Sequence, residues 1–122
     1  METKAPQRVE EANAAGLVVG LSTAPSNEEA RAIAEHLVTQ HLAACVQIVP
    51  AVESIYEWKG TIEKSSEVLI IIKTQRAHTQ AVVQAIKDMH SYEVPEVVFT
   101  DIVDGNADYI KWARAVTQPK GT

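Results

Sequence analysis

The 122-residue chain has one cysteine, five glycines and five prolines, and aromatic side chains make up only 5% of it. The single thiol, Cys45, has no partner for an internal disulfide, which suits a reducing compartment, and the cytoplasm is the expected location. The glycines are scattered, so no glycine-rich loop is available to cradle a nucleotide phosphate. Basic side chains are also short: eleven Lys and Arg stand against sixteen Asp and Glu, a net charge of −5, which disfavours nucleic acid or an anionic membrane as the main partner. No apolar run is long enough to span a bilayer, since the first one covers only residues 17–21 after a polar start.

Apolar residues nevertheless make up 46% of the chain, enough for one globular core without covalent staples. Residues 1–15 mix charge, Pro and Ala without a period and are expected to be a disordered arm, residues 16–118 one domain, and residues 119–122 a frayed tail. Leu17-Val18-Val19-Gly20-Leu21 fits a buried strand. Ser26 followed by Glu29 is a capping box, and Ala30, Ile33, Ala34, Leu37 and Val38 recur at helical spacing, so residues 27–40 are expected to be an amphipathic helix.

Residues 44–58 and 61–74 then read as two strand arms joined by the two-residue turn Lys59-Gly60, with Pro50 marking a bend or bulge in the first arm. Each arm reaches roughly 45 Å at about 3.3 Å per residue. The helix meant to cover them reaches only about 21 Å at about 1.5 Å per residue. Roughly half of each arm therefore lies beyond its cover, and an uncovered apolar ribbon requires a partner chain. A second helix is expected over residues 76–89, a last strand around Val97-Val98-Phe99, and a final helix capped by Asn106. The order strand, helix, strand, strand, helix, strand gives an α+β ferredoxin-like sandwich, with an extended β-hairpin and an extra C-terminal helix.

The candidate chemistry is sparse. His90 and Glu96 bracket a turn, where an imidazole and a carboxylate could converge on Cu(II), Zn(II) or Ni(II) as a weak site. The blander account makes His90 a helix-end residue and leaves Glu96 solvated. Tyr56 and Trp58 lie two apart on one side of their strand and are candidate interface anchors. Lys73, ending the second arm beside a helix start, is a candidate anion contact, and Tyr92 is a candidate cleft-lining residue. Cys45 reads as a small buried hydrophobe, and His36, His41 and His78 as surface residues without a shared face. Glu93, Glu96 and His90 could act as acid and base, but nothing fixes a nucleophile or a substrate pocket, so no enzyme is expected.

The motifs Ser22-Thr23-Ala24-Pro25, Leu42-Ala43-Ala44-Cys45-Val46, Ile55-Tyr56-Glu57-Trp58-Lys59-Gly60, Lys73-Thr74, the turn from His90 through Glu96, and Tyr109-Ile110-Lys111-Trp112 occur in an order and spacing that resembles the CutA divalent-cation-tolerance proteins over residues 17–116. The resemblance implies a homotrimer linked to tolerance of copper and other divalent metal ions, with metal bound near inter-subunit clefts. The number three comes from the resemblance alone. Copper-binding members can carry Cys where this chain has Ser22 and two consecutive His where it has Met89-His90, and Ser91 replaces the usual proline of the turn. Two other readings follow from the same residues. One is a PII-like trimer that senses a small molecule, and the other a structural trimer that acts through another protein.

Overall fold

The computed structural model describes residues 16–118, so the expected arm and tail lie outside the described residues. Strand β1 (Leu17–Ala24) leads to helix α1 (Asn27–Thr39), then strands β2 (Cys45–Trp58) and β3 (Thr61–Gln75) form the hairpin. A short 3-10 turn (Arg76–His78), helix α2 (Thr79–Met89), strand β4 (Val97–Asp101) and helix α3 (Ala107–Val116) complete the chain. The sheet is antiparallel in the order β2-β3-β1-β4, as expected for a ferredoxin-like sandwich. The second helical segment begins with the 3-10 turn, so its α-helical part starts three residues later than the sequence pattern suggests.

Local chemistry explains the boundaries. Ser26 Oγ accepts the Glu29 N–H at 3.1 Å and caps α1, and Asn106 Oδ1 accepts the Asp108 N–H at 2.8 Å and caps α3. At the far end of α1, His41 adopts a left-handed backbone, φ +61°, and the N–H groups of His41 and Leu42 return to Val38 and Leu37 carbonyls. Lys59 and Gly60 both have positive φ, +53° and +84°, the geometry that a tight two-residue hairpin turn demands.

Helices α1 and α2 pack on one sheet face, where Ile33, Leu37, Ile70, Ile72, Val82 and Ile86 form the main core. Helix α3 packs with Leu17 and Ala44 in a second, smaller cluster, leaving Leu21, Val49 and Val98 exposed on the opposite face. The Gly20 position is tight. A Cβ there would stand 2.6 Å from the Phe99 ring on the adjacent strand, and that ring packs against the main core. Gly20→Ala is therefore expected to lower stability by about 1–3 kcal/mol, as overpacking typically does, measured by urea unfolding. An unchanged midpoint would mean that Phe99 moves aside freely.

The hairpin has the overhang that arm length implies. Strand β1 pairs with β3 only from Val68 to Gln75, so residues 61–67 have β2 alone beside them. The β2–β3 register steps from Val49↔Leu69 to Val52↔Glu67, three residues on one strand against two on the other, which places one extra residue at Pro50-Ala51. Proline has no N–H to contribute to a ladder and is at home in such a bulge. The shift has a large effect. Cross-strand partners share a face, so Val52, Ser54, Tyr56 and Trp58 join Val49 on the face away from the main core, instead of the odd-numbered residues that would otherwise lie there.

Candidate functional site

A cleft of about 710 Å³ opens where the hairpin leaves the four-stranded sheet. One wall comes from β2, with Tyr56 and Trp58, and another from the segment between α2 and β4, with Tyr92, Glu93 and Glu96. Glu67 on β3 also lines it, and among the described residues no Lys, Arg or His does. Three carboxylates and three aromatic rings without a Lys, Arg or His favour a cation over an anion such as a phosphate.

Three ties hold residues 90–92 against the body of the domain. The His90 side chain is fully buried, and its Nε2 lies 2.6 Å from the Thr23 carbonyl, which only accepts, so Nε2 carries the proton. Its Nδ1 accepts the Tyr92 N–H at 3.0 Å and also lies 3.4 Å from Glu29 Oε2. Glu29 Oε2 accepts both the N–H and the Oγ–H of Ser91, at 2.9 and 3.1 Å. A proline at this position could not donate that N–H, so Ser91 replaces ring rigidity with two hydrogen bonds. Tyr92 stacks obliquely on His90, with centroids 4.6 Å apart, and donates its hydroxyl proton to Glu67 Oε2 at 2.6 Å. Burial first, then the hydrogen bond and charge of Glu67, push the Tyr92 hydroxyl well above its ordinary range, so it stays protonated and remains a donor.

This arrangement bears on the expectation that His90 is a metal ligand. Both ring nitrogens are engaged in hydrogen bonds, and the ring is closed off from water. It also does structural work at the helix end: its backbone N–H closes α2 onto Ile86, and its ring ties the following turn to β1. His90 is not among the residues lining the cleft, whereas Glu96 is. Ser22 is enclosed as well: its partners across the sheet are Ile70 and Val97, its side chain is fully buried, and among the described residues its hydroxyl has no hydrogen-bond partner. Among the described residues, no three His, Cys, Asp or Glu side chains converge as a metal cluster.

The remaining candidates fall in different places. Trp58 and Tyr56 are 39% and 42% exposed, so intrachain packing does not use up their surfaces. The Tyr56 hydroxyl bonds Ser65 Oγ at 2.9 Å, and Lys59 Nζ lies 5.5 Å from the Trp58 ring centroid. Lys73 is outside the cleft and donates to Gln47 Oε1 at 2.6 Å, while Thr74 donates to the Leu42 carbonyl. Strand-end polarity is thereby satisfied. Cys45 is half-buried, more open than its apolar strand suggests, and it lies beside Tyr109. Burial raises that tyrosine's hydroxyl above its ordinary value, and Cys45 adds to the rise.

Of the other histidines, His36 is exposed, but His41 and His78 have structural work. Their rings contact the Val116 and Thr117 carbonyls at 3.1 and 2.6 Å and hold the end of α3. Glu67 is the residue that sequence reasoning missed. The only signal was a glutamate preceding the apolar run from Val68 to Ile72, which by itself reads as a solvated strand end.

Comparison with known proteins places this geometry. The profile of the CutA1 divalent ion tolerance protein family matches residues 18–116. The human protein named Protein CutA is 45% identical over 96 residues, covering 79% of this chain and 54% of the human one. Arabidopsis thaliana has a similar protein named Protein CutA, chloroplastic, 38% identical over 101 residues, covering 83% of this chain and 56% of that protein. This chain thus spans about half the length of these two relatives. The solved structure of the divalent cation tolerance protein (Cut A1) from Thermus thermophilus superposes with a TM-score of 0.82 at 42% identity, covering 84% of this chain and 99% of that one.

Proposed function

The chain belongs to the CutA1 divalent ion tolerance family, and on that premise we propose that it is a non-catalytic homotrimer that takes up divalent metal ions, Cu(II) among them, weakly at the carboxylates of its cleft. The observation that carries this reading is the cleft itself, where Glu93 and Glu96 from the turn before β4 are in the lining and, among the described residues, no Lys, Arg or His is. Glu96 remains the proposed ligand from the turn, joined by carboxylates and water, while His90 holds the turn in place. Oxygen donors without imidazole or thiolate give modest affinity and little selectivity along the divalent series. The trimer is supported by the paired but uncovered end of the hairpin and by the exposed Trp58 at its tip. Among the described residues, no helix is long and apolar enough to cross a membrane. The compartment we propose is the cytoplasm, where the free thiol of Cys45 would stay reduced.

Calorimetric titration of the purified protein with copper(II), zinc and nickel tests the metal reading. Weak binding of all three, reduced severalfold in Glu96→Gln, is the expected result. No heat from any of them at millimolar metal, or equal affinity in the variant, would remove Glu96 and this cleft from the account. Light scattering on a size-exclusion column tests the assembly. A folded monomer at micromolar concentration would refute the trimer.

A further inference from the structure

Glu67 is the feature that neither the family nor the metal reading explains. Its side chain projects from β3 into the cleft, and the residue is only 6% exposed. Buried carboxylates are ordinarily paired with a cation, because the charge loses its hydration. Glu67 has no such pair: among the described residues its partner is the Tyr92 hydroxyl, a neutral donor that cannot cancel the charge. Near it stand the rings of Tyr92, which donates its hydroxyl to Glu67, and Tyr56, whose hydroxyl bonds Ser65 two residues before it, in a space far larger than a single metal ion needs. Aromatic faces do not ligate a hard, hydrated metal ion, which prefers several converging oxygen atoms. They do attract a weakly hydrated organic cation, through the negative charge on the ring face.

We propose that the cleft binds a small organic ammonium ion of about choline size, with Glu67 as its counter-charge and Tyr56 and Tyr92 as its walls. The inference goes beyond the metal reading and does not depend on it, because it uses the buried carboxylate and the rings rather than Glu96. Anionic ligands are excluded by the same charges that favour this one, and neutral ligands of the same shape would leave Glu67 uncompensated.

Choline chloride is the probe, titrated by calorimetry into the full chain in the presence of a chelator and at constant total chloride. Its neutral isostere, 3,3-dimethyl-1-butanol, is the control. Saturable choline binding with no binding of the isostere is expected. Glu67→Gln should weaken it at least tenfold. Tyr56→Leu should weaken it severalfold, and because Tyr56 is exposed that change leaves the fold intact, as circular dichroism would verify. Tyr92→Phe keeps the ring and frees Glu67, so it should bind choline at least as well as the wild type. Equal binding of choline and its isostere, or wild-type affinity in both Glu67→Gln and Tyr56→Leu, would overturn the proposal. So would an absence of choline binding, which would leave Glu67 to a basic side chain of another copy. The chelator separates the two readings, since metal binding at Glu96 can then fail or succeed independently.

Discussion

Trp58→Ala should shift the proposed trimer towards monomer by about 6 kcal/mol per trimer. Truncating an aromatic anchor commonly costs about 2 kcal/mol or more at one interface, and a closed ring of three repeats each contact three times. At micromolar protein the variant should elute as a monomer or dissociate on modest dilution, with its circular dichroism unchanged. The secondary structure is expected to survive because Trp58 sits at the hairpin tip, opposite Thr61 and beyond the end of β1, away from the core residues on β3. Loss of secondary structure in a variant that stays trimeric would place Trp58 in intrachain packing instead.

His90→Ala should lower stability by about 3 kcal/mol and leave the proposed copper binding in place. The substitution removes the Nε2–H bond to the Thr23 carbonyl and leaves the Tyr92 N–H without its acceptor. Each buried polar group left unsatisfied costs about 1–3 kcal/mol, and the vacated ring volume adds to that. Urea unfolding measures the loss. Copper titration of the folded fraction should give an affinity close to wild type, because neither ring nitrogen faces the cleft as a free donor. An unchanged urea midpoint with copper affinity lost would restore His90 as a ligand and refute the hydrogen-bonding account.

Both expectations turn on side chains whose identity was plain in the sequence and whose role was not. The sequence by itself determined the element order, the caps at Ser26 and Asn106, the tight turn at Lys59-Gly60 and the length of the hairpin, because each depends on spacing within a few residues. It also marked Pro50 as an irregularity and put Tyr56 and Trp58 on a common side. Only the tertiary structure decided which side. The extra residue at Pro50-Ala51 reverses the alternation, and that reversal brings both rings to the face shared with Glu67. The same holds at the turn. A histidine and a glutamate six residues apart suggest a ligand pair, yet the Thr23 carbonyl and Tyr92 N–H that engage the imidazole become its neighbours only through folding, Thr23 from 67 positions away. Glu67 lies 25 positions from Tyr92 in the chain, so its burial and its lack of a counter-cation among the described residues follow from long-range packing. Local periodicity fixes what a segment becomes, whereas the protonation, exposure and partners of a polar side chain depend on groups that the sheet brings together from distant parts of the chain.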